Sequence, residues 1–259
     1  MSAKNYGYFE PGCDDVEVRM PKGRNIAGYS VGIMFLDDVW YPFMPGNVVN
    51  AWTYDFPVRL RAVPNLNTPR LHSGDPAIVD ELIAVARHLV EKEGCRAISS
   101  ACGFFGHFHA QVADAVDVPV ALSSLVQVPW IQATLKKRQK IGCLSANASA
   151  LTESLLKSCR IQDTGVLVVK DLRREEQFSA IMEDRGSFDN SGVRREAVQA
   201  AENLVAEHPD IGAILLECSD LPPYASDIQR AVSLPVFDFI TMIRWLHNAT
   251  TQRPYRGFI

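Results

Sequence analysis

Short apolar runs rich in β-branched residues recur at 29–35, 96–101, 119–124, 140–146, 165–170, 212–217 and 235–240. Gly, Pro, Asn, Asp and Ser bound them, and continuous rather than alternating hydrophobicity marks strands buried on both faces. Between these runs the apolar period becomes helical. Over 76–92, Ile78, Val79, Leu82, Ala86, Leu89 and Val90 make one stripe behind the capping residues Ser73 and Asp75, and a similar stripe runs from Val193 to Val205. Strand alternating with helix predicts an α/β fold with mostly parallel sheets covered on both faces.

The pattern also repeats. Ala97-Ile98 stands before Cys102 as Ala213-Ile214 stands before Cys218, and Val118-Pro119-Val120 follows the first cysteine as Leu234-Pro235-Val236 follows the second. The expected organisation is an N-terminal extension (1–25), two pseudo-symmetric doubly wound, flavodoxin-like halves (26–131 and 139–247) with the active site in the cleft between them, and a tail (248–259). From Asp37 to Thr68 the periodicity lapses into a stretch rich in aromatics, Pro and Asn. That is too long for an idle connection, so it is expected to border the site, with an extra strand or edge hairpin around 53–63. Arg59 and Arg61 alternate there and read as a solvated face.

Composition narrows the partners. With 47% hydrophobic and 22% charged residues and a net charge of -4, the 259-residue chain shows no basic stripe for nucleic acid and no polybasic membrane patch. The first residues lack the apolar core of a signal peptide, so a cytoplasmic protein with a small-molecule substrate is expected, with no nucleic-acid or membrane partner. A homo-oligomer is left open. The six cysteines contain no C-x-x-C and are expected to be free thiols: Cys95, Cys143 and Cys159 as small buried hydrophobes, Cys13 as incidental. The six histidines have no metal-ligand spacing and "CGFFG" is not a dinucleotide fingerprint, so no metal and no cofactor is expected.

The chemistry is expected at Cys102 and Cys218. Ligands of doubly wound sheets collect at the carboxyl ends of strands, which places both thiols at a shared cleft. Helix starts beside them would lower their pKa values and receive a carboxylate. One thiol can then abstract a proton from a tetrahedral carbon while the other serves the opposite face.

Residues 101–104 (Ala-Cys-Gly-Phe), 217–220 (Glu-Cys-Ser-Asp) and the stretch "IGCLSANAS" resemble motifs of the aspartate/glutamate racemase superfamily. The resemblance covers nearly the whole chain and implies Cys102 and Cys218 as a catalytic acid/base pair. It also implies a substrate carboxylate or carbonyl held near Ser145, Asn147 and the amides of Gly103 and Ser219, with Asp220 supporting the second cysteine. Ser145 and Asn147 can equally cap a helix beginning near Ala148. Tyr41 is a further substrate-contact candidate. The family's Asn-Thr pair after the first cysteine is missing here, and Phe104 and Phe105 make that wall apolar, which argues against a plain aspartate or glutamate substrate. The superfamily holds racemases of amino acids, hydantoins and allantoin, maleate isomerases, arylmalonate decarboxylases and lyases of dimethylsulfoniopropionate. A cofactor-independent racemase or epimerase is the first expectation. A lyase is the alternative, favoured by the aromatics Trp40, Tyr41, Phe43, Trp52 and Tyr54 as a cage for a sulfonium; a non-catalytic binding module is the third.

Overall fold

The computed structural model describes residues 20–259; most of the expected N-terminal extension, with Cys13, lies outside the described residues. Among the described residues eight parallel strands form two sheets. β1 (Val31–Asp38), β2 (Val58–Asn67), β3 (Ala97–Ser100) and β4 (Val120–Ala121) lie in the order β2-β1-β3-β4. β5 (Lys140–Ser145), β6 (Leu167–Asp171), β7 (Ile211–Leu216) and β8 (Val236–Phe237) repeat it as β6-β5-β7-β8.

The internal repeat extends to register. Ile98 pairs with Val120 and Ile214 with Val236. The Ile98 amide donates to the Pro119 carbonyl at 2.9 Å, and the Ile214 amide to the Pro235 carbonyl at 2.8 Å. Each proline thus offers an acceptor at the edge of a sheet, where its missing N–H costs nothing.

The helical stripes cover these sheets. Helix Val79–Glu91 buries Leu82, Val85, Ala86 and Leu89, after a turn in which the Asp75 carboxylate accepts from the Ala77 amide at 3.0 Å. Ser73 does not cap it; that residue closes the preceding short helix Thr68–Ser73, which ends on Gly74 in the left-handed conformation. Helix Asn190–Glu207 buries Val193, Ala197, Ala201 and Leu204.

Of the two forms expected around 53–63, the extra strand is found: residues 58–67 form a parallel edge strand against β1, registered Val31 to Val58. One expectation about the first half needs correction. Arg59 and Arg61 are not simply solvated: both guanidinium groups bind Glu93, Arg61 at 2.9 Å, and His88 Nε2 lies 3.1 Å from the same carboxylate. Glu93 is buried, and a buried carboxylate is tolerable only with such partners.

The core runs between the halves. Phe104, Phe105 and Phe108, in the turn Gly103–Phe108 that follows Cys102, pack with Leu155, Leu156 and Cys159 of the second half. Each repeat also lends its last helix across: Val128–Thr134 packs on β5, while Phe239, Met242 and Ile243 of helix Phe239–Thr250 cluster with Val31, Ile33 and Ala97. Burying a large apolar side chain of this kind contributes about 1.5–3 kcal/mol, which locks the two sheets together and holds their strand ends over one cleft.

Candidate active site

Cys102 follows β3 and Cys218 follows β7, and both line one cavity with Tyr41, His72, Gly103 and Glu217. The Cys218 thiol donates to Asp220 Oδ2 at 3.4 Å, and the same carboxylate accepts from the Tyr41 hydroxyl at 3.3 Å and from the Asn47 amide. Burial outweighs these bonds and pushes the Asp220 carboxyl up to about 6. Tyr41 and Asn47 arrive from the long loop of the first half. Gly46 makes that possible: with φ +100 it rests on Pro223, whose Cα would lie 2.8 Å from any Cβ there. The Val48 amide then donates to the Ser219 carbonyl at 3.4 Å, so the first half closes over the second half's cysteine.

On the other wall, Cys102 Sγ lies 4.0 Å from His72 Nε2, and the imidazole packs on Phe104 with ring centroids 4.0 Å apart. Asn147 Nδ2 is 3.3 Å from His72 Nδ1. An amide nitrogen can only donate, so the ring proton belongs on Nε2, facing the sulfur. Burial, with His107 and Arg173 nearby, pushes His72 down to about 4, and the ring is neutral at ordinary pH.

Glu217 completes the floor. It is fully buried; Oε2 accepts from Ser145 Oγ at 2.9 Å, while Oε1 has no hydrogen-bond partner. A Cβ at position 103 would stand 1.7 Å from Oε1, so glycine follows Cys102 because the Glu217 carboxyl fills the space of a side chain. Burial raises this carboxyl to about 7.

The expected thiol electrostatics are corrected. Burial raises both Cys102 and Cys218 above the ordinary thiol value, and the amides of Phe104 and Asp220 offset it only in part. Cys102 stands at the start of the six-residue 3-10 helix Gly103–Phe108, as expected, while an irregular turn follows Cys218; at neither position does the amide outweigh burial. Asp220 and His72 are the titratable groups beside the two sulfurs, at 3.4 Å from Cys218 and 4.0 Å from Cys102.

Of the residues singled out from sequence, Cys102, Cys218, Gly103, Ser219, Tyr41 and Asp220 share the cavity wall. Ser145 and Asn147 stand one layer behind, their polar atoms committed to Glu217 and His72. The segment after them is the three-residue turn Ala148–Ala150 with no side-chain cap, so it offers no helix start to a carboxylate. The five loop aromatics form no cage: Trp40 and Trp52 are 71% and 87% exposed, Phe43 meets the Tyr41 edge, and the Tyr54 hydroxyl donates to the Val48 carbonyl. His72 and Glu217 escaped the sequence reading. For Glu217 a signal existed, an acid directly after six apolar residues that are all buried in β7. Among the described residues no cluster of three or more His, Cys, Asp or Glu is arranged to hold a metal ion.

No protein-family model matches the chain. Paired four-stranded parallel sheets with interleaved helices define an α/β fold of two like halves, and solved structures of racemases share it. Allantoin racemase from Pseudomonas fluorescens superposes with a TM-score of 0.56 at 14% identity, covering 88% of this chain and 99% of that one. An aspartate racemase homologue from Pyrococcus horikoshii OT3 gives 0.54 at 20% identity, covering 85% and 98%. Sequence relatives are more specific. The chain is 34% identical to a dimethylsulfoniopropionate lyase of Durusdinium sp. clade D, over 91% of this chain and 80% of that protein. It is 32% identical to dimethylsulfoniopropionate lyase 3 of Emiliania huxleyi (strain CCMP1516), over 88% of this chain and 61% of that protein. The chain belongs to the family of these lyases. It is therefore an enzyme, and the relatives favour the lyase alternative over the racemase first expected.

Proposed function

We propose that the protein eliminates dimethyl sulfide from dimethylsulfoniopropionate, or a close sulfonium carboxylate, without a cofactor. The observation that carries this reading is the 34% identity to a lyase of that substrate over 91% of the chain, and the cavity geometry supports it. Asp220 accepts the Cys218 proton, and the resulting thiolate removes a proton from the carbon next to the substrate carboxylate. The C–H electron pair becomes the new C=C bond, the C–S bond breaks with its pair on sulfur, and dimethyl sulfide and acrylate leave. Charge that builds on the substrate carboxylate meets the Gly103 and Ser219 amides. The Tyr41 ring and the Asp220 carboxylate make the wall suited to a sulfonium. The substrate proton stays on Cys218 and the proton held by Asp220 passes to solvent, which resets the site; Cys102, with the His72 Nε2 proton beside it, faces the opposite side of the substrate carbon. The test is incubation with the sulfonium substrate in deuterated water: equimolar dimethyl sulfide and acrylate are expected. Absence of both, with deuterium entering a chiral amino acid or hydantoin as its optical rotation decays, would restore the racemase reading.

A further inference from the structure

The substrate of this proposed reaction carries a carboxylate, yet among the described residues lining the cavity there is no Lys or Arg. Hydrogen-bond donors must hold that anion instead. Ser145 and Asn147 are occupied behind the wall. Among the buried side-chain atoms of the lining one lacks a partner: Glu217 Oε1, set against the Gly103 backbone beside both cysteines. Its companion Oε2 already accepts a hydrogen from Ser145. A proton on this carboxyl therefore belongs on Oε1, the oxygen without a partner. A carboxylic acid kept neutral by its surroundings is a strong donor to an anion.

We infer that Glu217, in its neutral form, donates the Oε1 proton to the substrate carboxylate and is a specificity-determining residue of the site. The assignment rests on the elimination reading for its substrate class. Burial and the Asp171 carboxylate on β6 oppose its ionisation, while the Ser145 hydroxyl and the Ala146 amide favour it. The other titratable groups facing it are the thiols of Cys102, Cys143, Cys159 and Cys218, which burial and this carboxyl keep protonated, with Asp220 on its own segment. Not one of these groups is a cation. Burial sets the carboxyl near 7, within the working range.

Propionate, an unreactive three-carbon carboxylate, separates this assignment from turnover. Binding is measured by calorimetry from pH 5.5 to 8.5 in buffers of different ionisation enthalpy. The wild-type protein is expected to take up close to one proton per propionate at pH 8 and none at pH 5.5, with affinity falling about tenfold per pH unit above ~7. Glu217→Gln keeps a donor but cannot ionise; it is expected to bind within about threefold of wild type at pH 6 and to show no further loss of affinity from pH 7 to 8.5, where Asp220 is already ionised. Glu217→Ala should bind at least ~10-fold more weakly. Absent proton uptake in the wild type, the same pH dependence in the Gln variant, or no propionate binding at pH 6 overturns the assignment. Failure to release dimethyl sulfide, with these propionate results intact, rejects the elimination reading and leaves Glu217 as a carboxylate receptor.

Discussion

Adding one methyl group at position 103 tests the steric pairing on which the cavity floor depends. A Cβ there would lie 1.7 Å from Glu217 Oε1, 2.5 Å from Cδ and 2.8 Å from the Glu217 carbonyl oxygen. Non-bonded atoms rest at about 3.5 Å, so the carboxyl must retreat by roughly 1.5–2 Å, and that movement breaks the 2.9 Å bond from Ser145. Overpacking a close-packed interior costs about 1–3 kcal/mol, and stranding a buried hydroxyl adds ~1–3 kcal/mol. At roughly 2–4 °C per kcal/mol for a chain of this size, Gly103→Ala should lower Tm by about 4–24 °C. The assay is thermal denaturation of Gly103→Ala, Glu217→Ala and the double variant. Removing the Glu217 carboxyl should relieve the clash, giving a favourable coupling of about 1 kcal/mol or more. Rescue stays partial, because the Glu217 carbonyl remains 2.8 Å away. A Tm within about 2 °C of wild type, or strictly additive losses in the double variant, would refute the steric account.

Two further outcomes follow from the same contacts. Asp220 must be ionised to accept the Cys218 proton, and its carboxyl sits at about 6; turnover should rise as pH climbs through 6, and Asp220→Asn should lose at least ~10²-fold in kcat and abolish that limb. A limb unchanged in the Asn variant would assign it elsewhere. Replacing Arg59 and Arg61 together by Ala leaves the buried Glu93 with His88 alone. Its carboxyl is held below the ordinary range chiefly by those arginines against the opposing effect of burial. The double variant should lose stability by about 2–4 kcal/mol with kcat of the folded fraction unchanged, read by urea denaturation.

Most of the fold was legible because it is written in local periodicity. Apolar runs placed seven of the eight strands, and the duplicated Ala-Ile before each cysteine with the Pro-Val after it corresponds to a real duplication of register, Ile98 with Val120 and Ile214 with Val236. β2 was harder to read because its partner is β1, far upstream, and parallel pairing leaves no turn signal. Arg59 and Arg61 looked solvated for the same reason: their acid, Glu93, lies a whole helix away in sequence. At the site, the cysteines, Tyr41 and Asp220 announce themselves by residue type and position. His72 does not, since it sits on a short helix behind an irregular loop and matters only through its approach to Cys102. Ser145 and Asn147 were placed one layer too far forward, because a motif gives proximity to the site but not which way a side chain is committed.

The central claim is that two thiols, one from each repeat, act together on a proton beside a carboxylate. Its most direct measurement is the rate of dimethyl sulfide release from dimethylsulfoniopropionate by Cys102→Ser and Cys218→Ser, beside wild type and with thermal denaturation confirming that each variant is folded. A hydroxyl is a far weaker acid than a thiol, so each variant is expected to fall by at least ~10²-fold in kcat. Release at the wild-type rate by either folded variant would contradict the account.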